Sequence, residues 1–295
     1  MFHPGELAVQ LRMGQAEAAA RVGRSIRTGI PAVAASFLAE QSMVVLGAAD
    51  PAGRLWASPL TGPAGFVHAV GDATIDIDTL PEGADPLAVA LSSEVEVEVG
   101  VIALQPQRRR RMRVNGRSAV RAGGIRITTE QVYANCPKYI SRRQIRESSV
   151  VGTVGPVRRG TALTTAAVEM IGAADTFFVA TADGAGHADA SHRGGNPGFL
   201  QVLSPTRLRW PDYRGNSMFM TLGNLAVQPR CGLLVADWST GALLQLTGRA
   251  ELVWDAAAFT AGAQCAVDFT VDEVIERPGA LAVRWGPPEL SPNNP

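Results

Sequence analysis

The stretch SHRGGNPGF (Ser191–Phe199) lies between two runs of apolar and β-branched residues, Thr176–Thr181 and Phe199–Leu203. Such runs are typical of strands, and the glycines and proline between them predict a tight corner. A second corner, PDYRGN (Pro211–Asn216), follows another strand-like run, Arg207–Trp210. The sequence therefore predicts two basic corners between short strands in the second half of the chain.

A short helix is predicted directly after the second corner, because Met218, Leu222 and Leu225 are spaced at i, i+4 and i+7. Asn216 and Ser217 are candidates to cap its N-terminus. Two polar, basic corners beside a helix N-terminus are able to form a pocket for a phosphorylated ligand. The same spacing is equally consistent with two ordinary surface turns.

Four motifs of the second half resemble a known family in their order along the chain: SHRGGNPGF, LRWPDYRGN, MTLGNLAVQPRCGLLV and LLQLTGRAELVWD. They are similar to the pyridoxamine 5'-phosphate oxidase-related, FMN-binding split-barrel superfamily. More narrowly they resemble its predicted flavin-nucleotide-binding branch, whose members are often fused to a ferredoxin-reductase-like module. The resemblance extends into the first half at Trp56–Phe66, Arg108–Arg117 and Asn135–Ile140, although the branch usually has glutamine where Lys138 stands.

The chain also contains an internal repeat. Placing Met43 under Thr176 gives an offset of 133 (176 − 43), and nine positions along it are identical without a gap. The identical pairs are Ala49 and Ala182, Asp50 and Asp183, Ala52 and Ala185, Gly53 and Gly186, Ala57 and Ala190, Ser58 and Ser191, Gly62 and Gly195, Gly65 and Gly198, and Phe66 and Phe199. Gly116 and Gly248 correspond at an offset of 132 (248 − 116). Unrelated strand–turn–strand segments rarely share so many turn-forming residues, so we interpret the segments as two copies of one unit.

The two copies differ where the basic corners lie. The first copy has Pro59–Thr61 where the second has His192–Gly194, and nothing in residues 73–88 reproduces the PDYRGN corner. The first copy has instead the run Arg108–Arg111, followed by Arg113. Such a run is often a solvated strand edge or hairpin turn. The alternative, which depends on the resemblance, is contact with an anion bound to the other copy.

Many short strands with glycine-marked corners predict a mainly β fold with peripheral helices. The resemblance implies tandem split β-barrels forming an internal pseudo-dimer, because ordinary members of the superfamily are homodimers with FMN between protomers. Residues 1–150 are predicted to be the degenerate copy with leading helices, of which residues 1–30 are peripheral. Residues 151–295 are predicted to be the FMN-binding copy, beginning with a linker at Val151–Gly160. An Ala-rich helix and the strand Ala280–Trp285 are predicted near its end.

The composition, 46% hydrophobic and 18% charged, is ordinary for a soluble globular protein. The 27 basic and 27 acidic residues cancel, so the net charge favours neither nucleic acid nor a membrane surface. No apolar run reaches the roughly 18–20 residues of a membrane span, and the first residues do not predict a secretory signal. Cys136, Cys231 and Cys265 cannot all pair and lack metal-ligand spacing, which favours a reduced, cytoplasmic setting without a metal site. Cys136 is interpreted as a buried structural thiol rather than a nucleophile.

FMN is the cofactor that the resemblance implies. Arg193 and Arg214 are able to make charge-assisted bonds to its phosphate, and Trp210 and Tyr213 either flank the flavin or pack at a strand end. His192 is equally consistent with a bond to the cofactor and with a structural role. The predicted cofactor-binding residues are Ser191, His192, Arg193, Pro211, Tyr213, Arg214, Asn216 and Ser217.

The leading interpretation is an FMN-dependent oxidoreductase or electron-transfer flavoprotein reduced by NAD(P)H or by a partner reductase. A flavin supplies the redox chemistry itself, and no Ser/His/Asp triad, paired carboxylates or P-loop is evident in the sequence. The alternatives are a non-catalytic flavin-binding or flavin-sequestering protein and a split barrel that has lost its cofactor. The predicted partners are a small-molecule substrate or a reductase, with no nucleic acid and no membrane, and a homodimer of pseudo-dimers is left open. The sequence predicts neither the substrate nor a catalytic residue.

Overall fold

The computed structural model describes residues 2–81, 83–148, 155–255 and 260–295. Three helices precede the first strand: α1 (Pro4–Arg12), α2 (Ala16–Gly23) and α3 (Ala32–Ala39). Three more lie between strands: α4 (Ala88–Leu91), α5 (Thr165–Ala173) and α6 (Met220–Val227). None of the helices in the described ranges is long and apolar enough to cross a bilayer. The rest of the architecture is antiparallel β structure.

The first copy forms one seven-stranded sheet. Its strands are β1 (Met43–Ala49), β2 (Leu55–Thr61), β3 (Val67–Ala69), β4 (Thr74–Ile77), β5 (Val97–Gln105), β6 (Arg110–Arg121) and β7 (Gly124–Ala134). Across the sheet they lie in the order β2-β1-β5-β6-β7-β4-β3.

The second copy repeats this arrangement after two short strands, β8 (Ile145–Glu147) and β9 (Arg158–Gly160). Its main strands are β10 (Thr176–Ala182), β11 (Ala188–Gly194), β12 (Gln201–Ser204), β13 (Arg207–Tyr213), β14 (Arg230–Ala236), β15 (Leu243–Val253) and β16 (Ala263–Arg277). They lie in the order β11-β10-β14-β15-β16-β13-β12, so each strand takes the place of its counterpart in the first sheet. A two-residue strand, β17 (Arg284–Trp285), pairs with β8 near the end of the chain. The mainly β fold predicted from the sequence is confirmed.

The two sheets share local irregularities as well as strand order. Asp50 and Asp183 each accept bonds from the backbone N–H groups two and four residues further on, which closes the same hairpin turn in both copies. The β6–β7 ladder shifts register at Gly116, and the β15–β16 ladder shifts at Gly248. At both glycines a Cβ atom would collide with a carbonyl oxygen of the neighbouring strand, which explains why both copies have glycine there.

The copies pack against each other reciprocally. Gly100 of β5 lies so close to the backbone of β11 at Asp189 that no side chain would fit, and Gly232 of β14 lies equally close to β2 at Trp56. Asp189 is the counterpart of Trp56 at the offset of 133 (189 − 56), and Gly232 is the counterpart of Gly100 at the offset of 132 (232 − 100). A contact in which each side uses the same patch is the property of a two-fold interface.

Besides a small cluster of Tyr133, Met218 and Met220, the apolar side chains of the described residues fill three cores. One lies inside each barrel, and the third lies between the barrels, where Val45 and Ile102 of the first copy meet Phe178 and Leu234 of the second. Because successive side chains of a strand point to opposite faces, β1 and β10 contribute to two cores at once, and both are buried almost throughout.

The N-terminal helices are present and lie at the periphery of the β structure, as predicted, although α1 is partly buried against the second copy. Helix α1 packs on α6 of the second copy, where Gly5 and Gly223 permit a close approach of the two backbones. The Gln10 side chain, which is buried, donates from Nε2 to the carbonyl oxygen of Met218 over 2.9 Å. The N-terminal segment therefore covers the second copy, a long-range contact that no local pattern indicates.

Three predictions concern the connections. The predicted linker Val151–Gly160 lies partly outside the described residues, at 151–154, and its end is not a linker because Arg158–Gly160 pairs with β16. The predicted Ala-rich helix falls largely on residues 256–259, also outside the described residues. The strand predicted over Ala280–Trp285 is limited to its last two residues. The division of the chain at residue 150 stays a prediction.

Candidate functional site: a cationic cleft between the copies

Side chains of both copies meet in one cleft beside the interface. It encloses about 730 Å³ of space, part of which is open to solvent. The first copy contributes Arg111, Arg113, Asn135 and Tyr139. The second contributes His192, Arg193, Gly194, Phe199, the segment from Pro211 to Tyr213, the segment from Gly215 to Ser217, and the segment from Phe219 to Leu222. Six of the eight predicted cofactor-binding residues therefore line this cleft, and Ser191 and Arg214 do not.

Both predicted corners begin later in the chain than the sequence suggested. Ser191–Arg193 continue β11 and pair with β10, and Pro211–Tyr213 continue β13 and pair with β16. The turns start only at Gly195 and Arg214. The glycine-rich pattern predicted each turn but not its first residue, because ladder pairing with a distant strand extends the strands.

Strand alternation in β6 divides the arginine run between surface and cleft. Arg108 is exposed and pairs with Glu40, and Arg109 sits in the hairpin with φ +49°. Arg111 and Arg113, two residues apart in β6, both line the cleft. The hairpin interpretation therefore holds for Arg108 and Arg109, whereas contact of Arg111 and Arg113 with an anion stays a prediction.

Arg111 and His192 form the central contact across the interface. The guanidinium Nη1 lies 2.6 Å from His192 Nδ1. A guanidinium only donates, so Nδ1 accepts and the imidazole proton sits on Nε2. His192 is buried, and its Nε2 has no hydrogen-bond partner among the described residues. Burial, followed by the nearby arginines led by Arg111, lowers the pKa of His192 well below its ordinary value. His192 is thus a neutral imidazole with a donor to spare.

Arg111 carries a charge that its surroundings do not neutralise. Arg113 lies 3.4 Å from Asp189 and Arg193 lies 3.4 Å from Asp212, but within the described ranges no carboxylate comes within 4 Å of Arg111. Burial, and then the charges of Arg113 and Arg193, lower the pKa of Arg111 to about 9. An anion in the cleft would relieve this repulsion.

Ser191 supports the cleft from behind. It is fully buried, accepts a hydrogen bond from Arg113 Nη2 and lies 2.7 Å from the hydroxyl of Thr221. Its predicted role as a direct cofactor ligand is therefore replaced by a role in orienting Arg113.

The loop before α6 forms the wall opposite the arginines. Ser217 and Phe219 both have left-handed backbone, with φ +65° and +56°, a conformation that costs non-glycine residues about 1–3 kcal/mol each. Asn216 and Ser217 are not the helix caps that the sequence predicted: the cap is Phe219, which makes no side-chain bond, and the Asn216 side chain accepts instead from the Met218 N–H. No side chain caps the N-terminus of α6, and residues 219–222 at its start line the cleft.

The aromatic residues of the second corner divide between core and cleft. Trp210 is fully buried and packs edge-on against Phe177, so it is a core residue. Tyr213 lines the cleft, and its ring lies 5.3 Å from that of Tyr139. Arg214 is exposed, and its backbone oxygen accepts from the Tyr139 hydroxyl. A direct phosphate contact by Arg214 has no support in this arrangement.

The corresponding place on the other side of the two-fold is closed. Ser58, the counterpart of Ser191, donates to Asp85 over 2.7 Å. Gln245, the counterpart of Arg113, donates to Ser58 over 2.9 Å, and Arg277 pairs with Asp85 over 2.6 Å. These side chains satisfy one another inside the protein, where the second copy has an open cleft.

The cysteines add no chemistry to the cleft. Cys231 and Cys265 are buried, and burial raises the pKa of both thiols. Cys136 is half-buried rather than buried as predicted, and all three are free thiols. The described residues contain no group of three potential metal ligands, so the geometry offers no metal site there.

Other residues line the cleft but were not among the cofactor-binding residues predicted from the sequence, and they include Arg111, Arg113, Asn135, Tyr139, Met220 and Thr221. For the two arginines a signal existed, because positions 111 and 113 share one face of a strand while 110 does not. For Tyr139 and Asn135 the resemblance marked the segment Asn135–Ile140, but nothing local indicated where it would lie.

Residues 163–280 match the model of the pyridoxamine 5'-phosphate oxidase family. The second half of the chain therefore carries a domain of the pyridoxamine 5'-phosphate oxidase-related split-barrel superfamily, as its motifs predicted. No curated protein matches the chain significantly.

Among solved structures, a putative pyridoxamine 5'-phosphate oxidase from Lactobacillus delbrueckii is 20% identical, with a TM-score of 0.33, over 39% of this chain and 94% of its own. A protein from Clostridium acetobutylicum related to general stress protein 26 is 17% identical, with a TM-score of 0.28, over 35% of this chain and 79% of its own. An F420 reductase is 15% identical, with a TM-score of 0.26, over 36% of this chain and 90% of its own.

Proposed function

We propose that the cleft binds FMN and that the protein is a flavin-dependent oxidoreductase or electron-transfer protein. The observation that carries the proposal is Arg111, a half-buried guanidinium without a carboxylate partner among the described residues, beside the cations Arg113 and Arg193. A site with this excess of positive charge favours a dianion such as a phosphate monoester. The match to the pyridoxamine 5'-phosphate oxidase family supports a flavin as the group that bears the phosphate.

The residues present fit such a group. Arg111 and Arg193 would hold the phosphate, together with backbone N–H groups at the start of α6. The unpartnered Nε2–H of His192 would donate to an acceptor of the cofactor. Tyr139 and Tyr213 also line the cleft, and their rings would pack against the apolar part of a ligand.

When bound, a flavin supplies hydride or single-electron transfer, and the protein's part is to hold and tune it. The cluster of arginines would stabilise negative charge on a bound group, since Arg113 and Arg193 each have one carboxylate nearby and Arg111 has none within the described ranges. The hydrogen bond from Arg111 to Nδ1 keeps the proton of the neutral His192 imidazole on Nε2, so His192 would present a donor there.

Titration of the purified full chain with FMN and with riboflavin tests the phosphate site. We expect one FMN per chain, because the counterpart cleft is closed, and clearly weaker binding of riboflavin. Equal affinities for the two ligands would overturn the proposed phosphate site.

Two single variants locate the phosphate. Arg193→Ala removes a charge-assisted contact of about 1.5–3 kcal/mol, so FMN affinity should fall roughly 10- to 150-fold while riboflavin binding changes little. Arg214→Ala removes the same charge from an exposed neighbour outside the cleft and serves as the matched control. Equal losses in the two variants would mean that the cleft acts only through its general charge.

Anaerobic addition of NADH or NADPH to the FMN-loaded protein tests the redox proposal. Loss of the absorbance of oxidised flavin, with the nucleotide or with an added reductase, is expected. A flavin that stays oxidised with every donor would favour the flavin-sequestering alternative.

A further inference from the structure

A second pocket lies on the other side of Met220 from the cationic cleft. It encloses about 770 Å³ of space, part of it open to solvent, between α1, α6, β11 and the β6–β7 ladder. Its floor is formed by Glu6, Asn115 and Asp189, which are all buried. Its rim carries Glu98 and, from the hairpin after β10, Asp183. The ionisable side chains of this pocket are thus mainly acidic, whereas those of the neighbouring cleft are mainly basic.

Asn115 supplies an acceptor that nothing in the described part of the chain satisfies. Its Nδ2 donates to Asp189 Oδ1 and to Gln131 Oε1, each over 3.2 Å. Because a carboxylate oxygen only accepts, the nitrogen must face Asp189, so the remaining atom is the oxygen. Asn115 is only 8% exposed, and its Oδ1 atom has no hydrogen-bond partner within the described ranges. A buried, unmade hydrogen bond of this kind costs about 1–3 kcal/mol, which a donor in the pocket would recover.

The carboxylates of the pocket are incompletely neutralised. Asp189 is opposed by Arg113 at 3.4 Å. Glu6 accepts a hydrogen bond from the backbone N–H of His3 over 2.8 Å, and its only ion-pair partner within 4 Å among the described residues is the His3 ring, at 3.8 Å. Burial, and further the charge of Asp189, raise the pKa of Glu6 to about 7.

The rim adds further negative charge. Asp183 is matched by His187 at 2.8 Å. Glu130 is matched by Arg117 at 3.3 Å, whereas no cation lies within 4 Å of Glu98 in the described ranges. Burial, and then Glu130, raise the pKa of Glu98. The pocket therefore offers carboxyl oxygens as hydrogen-bond acceptors from floor to rim, and a bound cation would favour their ionised form.

The arrangement suits an organic cation better than a metal ion. In the described residues no three carboxylate, imidazole or thiol side chains converge closely enough to coordinate a metal. A primary ammonium group donates three hydrogen bonds, so carboxylate and amide oxygens together can hold it without a set of three metal ligands. Met220 and Ala188 supply an apolar wall against which an alkyl chain would pack.

We propose that this pocket binds a small organic cation with a primary ammonium group, held by the Glu6 carboxylate and by Asn115 Oδ1. The ammonium group would lie on the floor, and the alkyl part would lie against Met220 and extend toward the rim. The proposal does not depend on FMN binding, because it uses none of the cleft's arginines as a ligand.

Calorimetric titration of the flavin-free full chain with putrescine tests the proposal, with 1,4-butanediol as the uncharged probe of the same length. Saturable binding of one putrescine per chain and no binding of the diol are expected. Absence of putrescine binding, or equal binding of the diol, would overturn the proposal whatever the outcome with FMN.

Variants then place the ammonium group. Glu6→Gln keeps the shape of the side chain and removes its charge, so the affinity for putrescine should fall about tenfold or more. Asn115→Leu removes the free acceptor and should also weaken binding, with circular dichroism confirming that the variant is folded. Glu17→Gln removes a carboxylate from the exposed part of α2 and is the matched control. Loss of affinity in Glu17→Gln equal to that in Glu6→Gln would show diffuse attraction only and would contradict a built site.

Discussion

The two copies place different side chains at equivalent positions around the two-fold. Arg111 and Arg193 line the open cleft, whereas their counterparts in the repeat are Leu243 (243 − 111 = 132) and Leu60 (193 − 60 = 133), both buried. The strand order and the turns are the same on both sides. The same strand order therefore does not make the two sides of the interface alike: the side chains at equivalent positions decide which side is open and which is filled.

The closed side contains a network of polar side chains that the open side lacks. Ser58, Asp85, Gln245 and Arg277 bond to one another inside the protein, so their polar groups need no ligand. On the open side, the charge of Arg111 has no carboxylate partner among the described residues. The Nε2–H group of His192 has no acceptor there either. The same strand positions thus stabilise the fold on one side and remain available to an anion on the other.

Making the open cleft resemble the closed one is expected to have the largest effect. In the double variant Arg111→Leu and Arg193→Leu, both cations become the leucine found at the equivalent position. At about 1.5–3 kcal/mol for each charge-assisted contact, FMN should bind roughly 10²- to 10⁴-fold more weakly, as measured by flavin fluorescence. Arg108→Leu with Arg110→Leu removes two exposed arginines of the same run as the control. A comparable loss in that control would contradict a specific cleft.

Opening the closed side should reduce stability without affecting the cofactor. Asp85→Ala removes the carboxylate that pairs with Arg277, and breaking a buried pair typically costs about 3–5 kcal/mol. The free energy of unfolding, measured by urea denaturation, should fall by that amount while FMN affinity stays unchanged. Asp78→Ala, which removes a half-exposed carboxylate paired with Arg121, should cost no more than about 1 kcal/mol. Weaker FMN binding in Asp85→Ala would mean that the two sides are coupled.

Glu6, which lies in the helix covering the second copy, is expected to make the free energy of unfolding depend on pH. Its pKa is raised from 4.5 to about 7 in the folded protein, so the folded state holds the proton more tightly than the unfolded state. The stability that this proton contributes is complete below about pH 4.5 and is lost as the pH rises through 7. The difference between the two pKa values corresponds to about 3 kcal/mol at most.

The variant Glu6→Gln should therefore gain stability relative to the wild type between about pH 4.5 and about pH 8, by up to about 3 kcal/mol. Urea denaturation of both proteins at several pH values in the absence of amines measures this difference. Glu17→Gln on exposed α2 is the control. A stability difference between Glu6→Gln and the wild type that does not vary with pH would refute the assignment.

The smallest effect on FMN binding is expected from adding the missing arginine to the first copy. Leu60→Arg restores the counterpart of Arg193, but the side of Ser58 and Asp85 is already filled, and α4 is preceded by no PDYRGN loop. The stoichiometry should remain one FMN per chain, with the affinity within about twofold of the wild type. Leu60 is buried, so circular dichroism and the variant Leu60→Met control for folding. A second FMN per chain would show that one arginine is sufficient for the site.

Local pattern alone predicted much of the fold. The repeat at an offset of 133, the strand-like runs Thr176–Thr181 and Arg207–Trp210 and the short helix after the second corner could all be read from the sequence, because turns, strands and helices depend on nearby residues. The motifs also placed the second copy in its superfamily, which the family match to residues 163–280 supports. Six of the eight predicted site residues lie together in one cleft, although β11 and β13, which carry four of them, are not neighbours in the sheet.

Other features depend on residues far apart in the chain and were decided only by tertiary structure. Arg111 meets His192 across a sequence separation of 81, and Gln10 reaches Met218 across a separation of 208. Ladder pairing turned the predicted corners at Ser191 and Pro211 into strand ends. Sequence determined the two copies and their turns because those are local, whereas the packing of the copies decided which arginines became a cleft and which remained at the surface.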